Sequence, residues 1–261
     1  MKAERLYMTL KAEKNYKRYS IKLQEIVKGI GISFIISAAI AWLLYRSLYG
    51  LLLFPLVCPV VFWKQRKEAI DKQQQQLRVE FKECIRVVTT SLYAGYSVEN
   101  AFLEAEKELV CLWGSQADMC VELRYINQQV RLNTPVEKLI QNLAERSGVE
   151  EILNFGQVFG YARRSGSDFL RILKDTSDRI AQKIELEQEL QTMVAAKKLE
   201  QKIMNVIPMG ILCFVEITSP GFLQIMYTGV LGRVIMTIFL LVYAGAYLLS
   251  EKIVNIVVTI Q

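Results

Sequence analysis

The chain has 261 residues, of which 52% are hydrophobic and 22% are charged, and its formal net charge is +6. This mixture fits neither an ordinary cytosolic enzyme nor a simple bundle of membrane spans. The sequence contains no histidine. Ser-His and Cys-His catalysis, histidine-ligated metal sites and the simplest pH switch are therefore excluded.

The charged residues are distributed unevenly along the chain. Residues 1–28 contain 8 Lys or Arg against 3 Asp or Glu, whereas residues 64–203 contain 21 of each. The positive-inside rule expects such a basic tail on the cytoplasmic flank of a first span, and the tail also suits anionic lipid. The balanced middle lacks the cation excess that a phosphate backbone attracts, so we expect no nucleic acid partner.

Apolar runs flank the polar middle of the chain, two on each side. A helix needs about 20 mostly apolar residues to cross roughly 30 Å of hydrocarbon, where its backbone groups must bond internally. The runs predict transmembrane hairpins at residues 29–63 and 204–250, with cytoplasmic tails at 1–28 and 251–261. The runs themselves are residues 30–45, 48–63, 203–214 and 234–250.

The first run has two interpretations. A basic leader followed by apolar residues and Ala39-Ile40-Ala41 is typical of a cleaved signal peptide, but apolar sequence continues beyond it, which favours a retained anchor. Ser33, Ser37 and Ala41 recur at helical spacing and form a stripe that lets another helix approach closely. The second run contains two prolines, which predict a kink.

Residues 64–203 show helical periodicity throughout. We expect an all-α fold in which this range forms a cytoplasmic antiparallel six-helix bundle, and residues 64–76 link it to the second span. The last helix should run from Ser167 to Pro208, about 40 residues or about 60 Å, and lead into the third run. The apolar faces of the first five helices are Leu77, Phe81, Cys84, Val88 and Leu92; Val98, Ala101, Phe102, Ala105 and Leu109; Met119, Leu123, Ile126 and Val130; Val136, Leu139, Ile140 and Leu143; and Val149, Ile152, Val158, Phe159 and Ala162.

Local signals predict where these helices end and begin. Gly95, Gly148 and Gly166 suit helix-terminating positions, where a left-handed backbone costs a residue with a side chain about 1 kcal/mol. Ser97 and Ser167 suit N-caps, because their hydroxyls can accept from free N–H groups of the next helix.

The segment 134–137, Thr-Pro-Val-Glu, predicts a capping box. In this motif the hydroxyl of Thr134 accepts from the N–H of Glu137, the carboxylate of Glu137 reaches back, and Pro135 takes the first helical position.

The third and fourth runs carry few polar residues. Glu216 lies near the far end of the third run, where an acidic residue is either functional or placed at the outer interface, opposite Arg233. Tyr243 and Tyr247 lie toward the inner end of the fourth run, where aromatic rings prefer the interface.

Five cysteines show no C-x-x-C spacing and are odd in number. We interpret them as buried thiols in a reducing compartment, and we expect neither disulfides nor a bound metal. They are Cys58, Cys84, Cys111, Cys120 and Cys213.

Three segments resemble landmarks of one protein family. They are residues 92–97 (LYAGYS), residues 134–146 (TPVEKLIQNLAER) and residues 160–166 (GYARRSG). In this order and membrane context they resemble the F-type inner-membrane platform proteins of type II secretion systems and type IV filaments, over residues 75–225. The arrangement of two spans, one helical domain and two spans is similar to the TadB and TadC branch of the tight-adherence (Flp) pilus.

The resemblance implies a non-enzymatic scaffold in the cytoplasmic membrane, without a cofactor, whose termini and central domain are cytoplasmic. Its implied partners are a hexameric secretion ATPase, a second F-type platform protein, pilin subunits, the lipid bilayer and further copies in a homo- or hetero-oligomer. It would couple the ATPase to extraction of pilin for a pilus or a secretion pseudopilus. The candidate partner-binding or motif residues are Gly95, Ser97, Arg163, Arg164, Gly166 and Glu216.

Two roles are open for Arg163 and Arg164: they either bind a partner carboxylate in bidentate fashion or solvate a helix end.

Other functions of the whole protein fit the sequence less well. An intramembrane peptidase needs two carboxylates at membrane depth, and only Glu216 is available there. A signalling receptor usually has a larger outer domain. A small multimeric transporter subunit remains the main alternative, because an oligomer could build the substrate path that one chain lacks. The chain has no G-x-x-x-x-G-K-[ST] loop, so energy must come from a partner.

Overall fold

The computed structural model describes residues 54–166, 168–219, 221 and 230–259, together with Tyr16 and positions 29–31, 33–35, 37 and 38. Every regular element in these residues is a helix, and they contain no strand. The all-α fold class is therefore confirmed. Several predicted features lie wholly or partly outside the described residues: the basic tail apart from Tyr16, residues 39–53 of the first hairpin with Ala41, the cap Ser167, the side chain of Arg233 and the last two residues of the C-terminal tail.

The described part of the chain contains seven long helices. They are α1 (Phe54–Tyr93), α2 (Val98–Trp113), α3 (Asp118–Val130), α4 (Val136–Ser147), α5 (Glu150–Ser165), α6 (Phe169–Thr218) and α7 (Val230–Thr259).

The chain divides into two compact units. Unit 1 comprises Met1–Ser20 and Arg66–Leu186, and unit 2 comprises Ile21–Gln65 and Glu187–Gln261. Helices α1 and α6 have residues in both units. Residues 187–203, which belong to the predicted bundle range 64–203, group with unit 2.

Two long helices have residues in an apolar run as well as in the bundle. Helix α1 has 40 residues and includes residues 54–63 of the second apolar run, the link at residues 64–76 and the first bundle helix. The link is rich in Gln and Lys, which are favourable in helices, and contains neither Gly nor Pro. Helix α6 has 50 residues and continues through Pro208 to Thr218, which confirms the predicted passage into the third apolar run.

The core of unit 1 is built from one face of each of its helices. The predicted faces of α1, α2, α3 and α4 are buried, with Val98 and Val130 half-buried at the edge. On α5 the prediction of Val158 is wrong, since Val158 is only half-buried and Phe155 lies in the core. The rings of Phe81 and Phe155 meet edge to face at 5.5 Å. These aromatic contacts stabilise the packing of α5 on α1.

The helix ends agree with the sequence signals at most positions. Gly95, Gly148 and Gly166 have φ angles of 88°, 66° and 73°, which favour glycine over other residues. The hydroxyl of Ser97 accepts from the N–H of Asn100 at 3.3 Å, which confirms this cap.

The capping box at residues 134–137 is wrong. Pro135 is the N-cap of α4, and no side chain caps this helix. The carboxylate of Glu137 instead pairs with Arg163 at 2.9 Å. The carboxylate of Glu137 therefore binds a cation on another helix and not the local backbone that the capping box predicted.

All five cysteines are free, and four of them are buried or half-buried, but Cys111 is exposed, so the prediction of a buried thiol is wrong there. Burial raises the pKa of Cys84, and burial followed by the charge of Glu80 raises the pKa of Cys120 to about 11. Such thiols are unreactive. The described residues contain no group of three or more His, Cys, Asp or Glu that could hold a metal ion.

Unit 2 differs from unit 1 because it exposes large apolar side chains on its surface. Helix α6 is long and apolar enough to cross a membrane, and residues 234–250 of α7 form a shorter apolar stretch. Large apolar side chains are exposed along both helices: Ile203, Met204, Val206, Ile211, Phe214 and Ile217 on α6, and Val234, Ile238, Leu241, Val242, Leu248 and Leu249 on α7.

Close contacts in unit 2 involve small and polar residues. Ser33 and Ser37 are fully buried, and the hydroxyl of Ser33 donates to the carbonyl of Gly29 at 2.8 Å. A Cβ at Gly29 would lie 3.2 Å from the ring of Phe62, so α1 approaches this backbone closely. The buried serines agree with the predicted small-residue stripe.

The tyrosines of α7 make polar contacts within unit 2. The ammonium of Lys64 donates to the hydroxyl of Tyr247 at 3.3 Å and lies 5.6 Å from the centre of its ring. The hydroxyl of Tyr243 donates to the backbone carbonyl of Asn205. These contacts link α7 to α1 and to α6.

Candidate functional site

Arg163, in the segment at residues 160–166, pairs with an acidic residue of the segment at residues 134–146 and with Glu99, which lies just beyond the segment at residues 92–97. Arg163 lies in the last turn of α5, and its Nε is 2.9 Å from Oε1 of Glu137 in the first turn of α4. Its Nη2 is 3.6 Å from Oε1 of Glu99 in the first turn of α2. We call these three residues, with the turns at Gly95 and Gly166, the motif end of unit 1.

The local sequence explains why helices α1 and α5 end at these turns. Helix α1 ends at Gly95, where the N–H of Tyr96 donates to the carbonyl of Ser91 at 3.1 Å, and Ser97 then caps α2. Helix α5 ends at Gly166, whose N–H donates to the carbonyl of Ala162 at 3.3 Å. Each helix therefore stops within a turn and the chain returns along the bundle.

Helix dipoles place the three charges favourably. A carboxylate is stabilised in the first turn of a helix and a cation in the last turn. Glu99 and Glu137 occupy first turns, and Arg163 occupies a last turn. The side chain of Arg163 is 39% exposed, so each ion pair contributes little to stability, on the order of 1 kcal/mol or less. The arrangement fixes three helix ends relative to each other.

Aromatic side chains are exposed close to the motif end in sequence. Tyr93 and Tyr96 flank the first turn, and Tyr161 lies one turn before the end of α5. The ammonium of Lys174 lies 5.3 Å from the centre of the Tyr93 ring. Tyrosine and arginine side chains are enriched at protein interfaces, so this surface suits binding of a protein.

The candidate residues of the sequence separate into two groups. Gly95, Ser97, Arg163, Arg164 and Gly166 belong to the motif end. Arg164 is exposed, and its Nε donates to the carbonyl of Gly160 at 3.0 Å.

The sixth candidate, Glu216, lies in the last turn of α6, in unit 2. The sequence did not identify Glu99 or Glu137 as partners of Arg163. An acidic residue in a first helical turn is too common to be a signal.

A second polar cluster was also missed by the sequence analysis. Glu122 of α3 is fully buried and forms a bidentate pair with Arg146 of α4, at 3.1 Å and 2.8 Å. The hydroxyl of Tyr16, from the basic tail, donates to Oε1 of Glu122 at 3.0 Å. Burial, followed by the charge of Glu122, raises the pKa of Tyr16, so the phenol remains a neutral donor. No sequence pattern links a tail residue to helices more than 100 positions away.

Comparison of the chain with models of protein families, with curated proteins and with solved structures found no match.

Proposed function

We propose that the chain is a non-enzymatic platform protein of the cytoplasmic membrane, in which a cytoplasmic helical unit is coupled to a membrane-embedded unit. One observation carries this proposal: α1 and α6 each continue from unit 1 into unit 2 without a break. A force applied to unit 1 is then carried by helical backbone across the unit boundary, and Pro59 of α1 and Pro208 of α6, which lack an N–H donor, lie beyond that boundary in unit 2. A flexible linker would not transmit it.

Ion pairs fix both long helices within unit 1. The carboxylate of Glu151 on α5 is almost fully buried and lies 3.1 Å from Nε of Arg78 on α1. Its other oxygen lies 2.9 Å from Nζ of Lys183 on α6. This carboxylate therefore lies between side chains of α1 and α6, which supports placing both helices against α5 within unit 1.

The exposed apolar side chains of unit 2 support a membrane location for residues 29–63 and 204–250, as two hairpins. Tyr16 adds an argument for the topology. Because this residue is packed in the core of unit 1, its position supports placing the tail on the same side of the membrane as residues 66–186. The apolar segment between them then crosses an even number of times, which supports a hairpin and cytoplasmic placement of both regions.

The proposed partners follow from the family resemblance. A hexameric secretion ATPase binds the cytoplasmic unit, and a second F-type protein and further copies complete the platform. Pilin subunits are then extracted from the bilayer into a pilus or pseudopilus. Helix α6, with 50 residues, is about 75 Å long and is the proposed transmission element.

Breaking α6 tests this proposal. Glu189 is an exposed residue of α6, so Glu189→Pro removes a backbone hydrogen bond at a cost of about 3 kcal/mol or more without disturbing a core contact. We expect filament assembly or secretion by the native host to be lost, with membrane insertion unchanged. Glu189→Ala is the matched control and should retain activity. Normal assembly with the proline variant would contradict the proposal.

The alternative, a small multimeric transporter subunit, makes a different prediction. The purified chain alone, in proteoliposomes, would then move a substrate across the bilayer. A platform protein without its ATPase should move none. Uptake by the chain alone would therefore replace the platform proposal.

A further inference from the structure

We propose that Lys64, Lys202 and Tyr247 form a binding site for the phosphate of an anionic phospholipid headgroup, at the boundary where the apolar segments of unit 2 become polar. We call these three residues the headgroup site. The inference rests on the membrane location that is part of the proposed function, and it adds a ligand of stated chemistry.

The three residues lie at one boundary of the apolar segments. Lys64 directly follows the second apolar run, which ends at residue 63, and Lys202 directly precedes the third run, which begins at residue 203. Tyr247 lies in the last turn of the apolar stretch at residues 234–250 of α7. In a bilayer such a boundary lies at the depth of the headgroups, where tyrosine rings also prefer to lie.

Contacts of α7 with α1 and with α6 define the level of the site. The ammonium of Lys64 donates to the hydroxyl of Tyr247 at 3.3 Å and lies 5.6 Å from the centre of its ring. One turn earlier on α7, the hydroxyl of Tyr243 donates to the backbone carbonyl of Asn205 on α6. Helix α7 is therefore in contact with both neighbours within one turn.

The same contacts bring Lys202 to the level of Tyr247. Helix α6 ends at Thr218 and α7 begins at Val230, equally far along the chain from the contact of Asn205 with Tyr243, so the two helices are antiparallel there. One turn back from Asn205 on α6 is Lys202, and one turn forward from Tyr243 on α7 is Tyr247. Residues three or four apart share a helix face, so Lys202 and Lys64 lie at the level of the same hydroxyl.

The charge around the site suits a phosphate. Residues 64–67 and 197–202 together contain six Lys or Arg and one Asp or Glu, whereas the intervening residues 68–196 contain 15 and 20. The single acid, Glu200, pairs with Lys197 at 2.9 Å. The cations of residues 64–202 are therefore in excess only at this boundary. Clusters of lysine and arginine beside a membrane span attract anionic lipid.

The hydroxyl of Tyr247 gives the site direction. Its oxygen accepts from Lys64, and its own proton can be donated to a phosphate oxygen. Bonds from an ammonium to a phosphate are charge-assisted and strong. Phosphatidylglycerol presents its phosphate without a cation, whereas phosphatidylcholine carries a quaternary ammonium that the two lysines repel. The site should therefore distinguish anionic from zwitterionic lipid.

Quenching of tryptophan fluorescence by brominated lipids tests the site in the full chain, reconstituted in nanodiscs. Trp63 is exposed and is the sequence neighbour of Lys64, and Trp42→Phe with Trp113→Phe makes it the sole tryptophan. We expect brominated phosphatidylglycerol to bind beside Trp63 about five-fold or more tightly than brominated phosphatidylcholine. Adding Lys64→Gln and Lys202→Gln should remove this preference, and adding Tyr247→Phe should reduce it.

Lys197→Gln is the matched control. It removes the same charge from the same part of α6, at an exposed lysine that pairs with Glu200 and lies on a different face from Lys202. The preference for phosphatidylglycerol should survive this change. If Lys197→Gln lowers the preference as much as Lys202→Gln, the attraction is a diffuse effect of charge and the headgroup site is wrong.

The other outcomes separate the site from the membrane location. Equal quenching of Trp63 by the two brominated lipids would overturn the headgroup site and leave the membrane location standing. No quenching by either lipid would contradict both. Inorganic phosphate in the buffer should leave the preference unchanged. If it abolishes the preference, the three residues bind soluble phosphate and the assignment to lipid is wrong.

Discussion

The two units of this protein place their apolar and polar residues in opposite ways. In unit 1, rings such as Phe155 and Phe159 are buried, and charged side chains lie mainly on the surface. In unit 2, Phe214 and Leu241 are exposed while Ser33 and Ser37 are fully buried. Water stabilises the first arrangement, whereas the second needs lipid or another protein around its apolar surface. The apolar surface of unit 2 is compatible with a lipid environment, as is the apolar length of α6.

The largest expected effect is the difference in stability loss between alanine substitutions at two phenylalanines, one in each unit. Phe159 is fully buried and meets the rings of Phe102 and Phe155, so Phe159→Ala should reduce the free energy of unfolding by about 3–5 kcal/mol. Phe214 is 68% exposed, and Phe214→Ala should change it by about 0.5 kcal/mol or less. Chemical denaturation of the full chain in detergent measures both. Similar losses for the two variants would contradict the division between the units.

A somewhat smaller effect is expected at the buried ion pair of unit 1. Arg146→Met leaves Glu122 as an uncompensated buried charge, and we expect a loss of about 3 kcal/mol, at the low end because Arg146 is 17% exposed. Adding Glu122→Leu should recover part of this loss, since the unpaired charge is then gone. The same denaturation assay compares the two variants. A double variant less stable than Arg146→Met would show that the unpaired charge of Glu122 does not cause the loss.

The Arg146→Met defect should also depend on pH. Burial raises the pKa of Glu122, and the hydrogen bond and charge of Arg146 act against this rise. Without Arg146 the folded-state pKa moves further above the unfolded value. Stability from such a group is fully present below the unfolded pKa and is lost as pH rises through the folded pKa.

Thermal unfolding should therefore find Arg146→Met further below the original chain at about pH 8 than at about pH 5, since only the protonated carboxyl tolerates burial. An equal difference at both pH values would show that Glu122 does not titrate between them.

The smallest effect compares two helix starts. Ser97 caps α2, so Ser97→Ala should reduce stability by about 1 kcal/mol. Thr134 makes no capping bond at α4, so Thr134→Ala should change stability by about 0.5 kcal/mol or less. Unfolding curves of the two variants compare these losses of stability. An equal loss for Thr134→Ala would contradict the absence of a side-chain cap at α4.

Local features of the fold were predictable because they depend on neighbours in sequence. The faces containing Leu77, Phe102 and Leu143 follow from the helical period, and all three residues are buried. Gly95 and Gly166 end their helices because the required backbone angle favours glycine. The apolar stretch at residues 234–250 was visible from composition alone. The five motif-end candidates were also found in this way, as turn residues and nearby charges.

Only the tertiary structure decided which distant groups meet. Glu137 has a plausible local partner in the backbone N–H of Thr134, yet it binds Arg163, because a half-buried carboxylate gains more from a cation than from a neutral N–H donor. Tyr16 looks like one more residue of a basic tail, yet it lies in the core of unit 1. Sequence spacing carries short-range periodicity and steric rules, whereas long-range pairing depends on how folded helices present their side chains to each other.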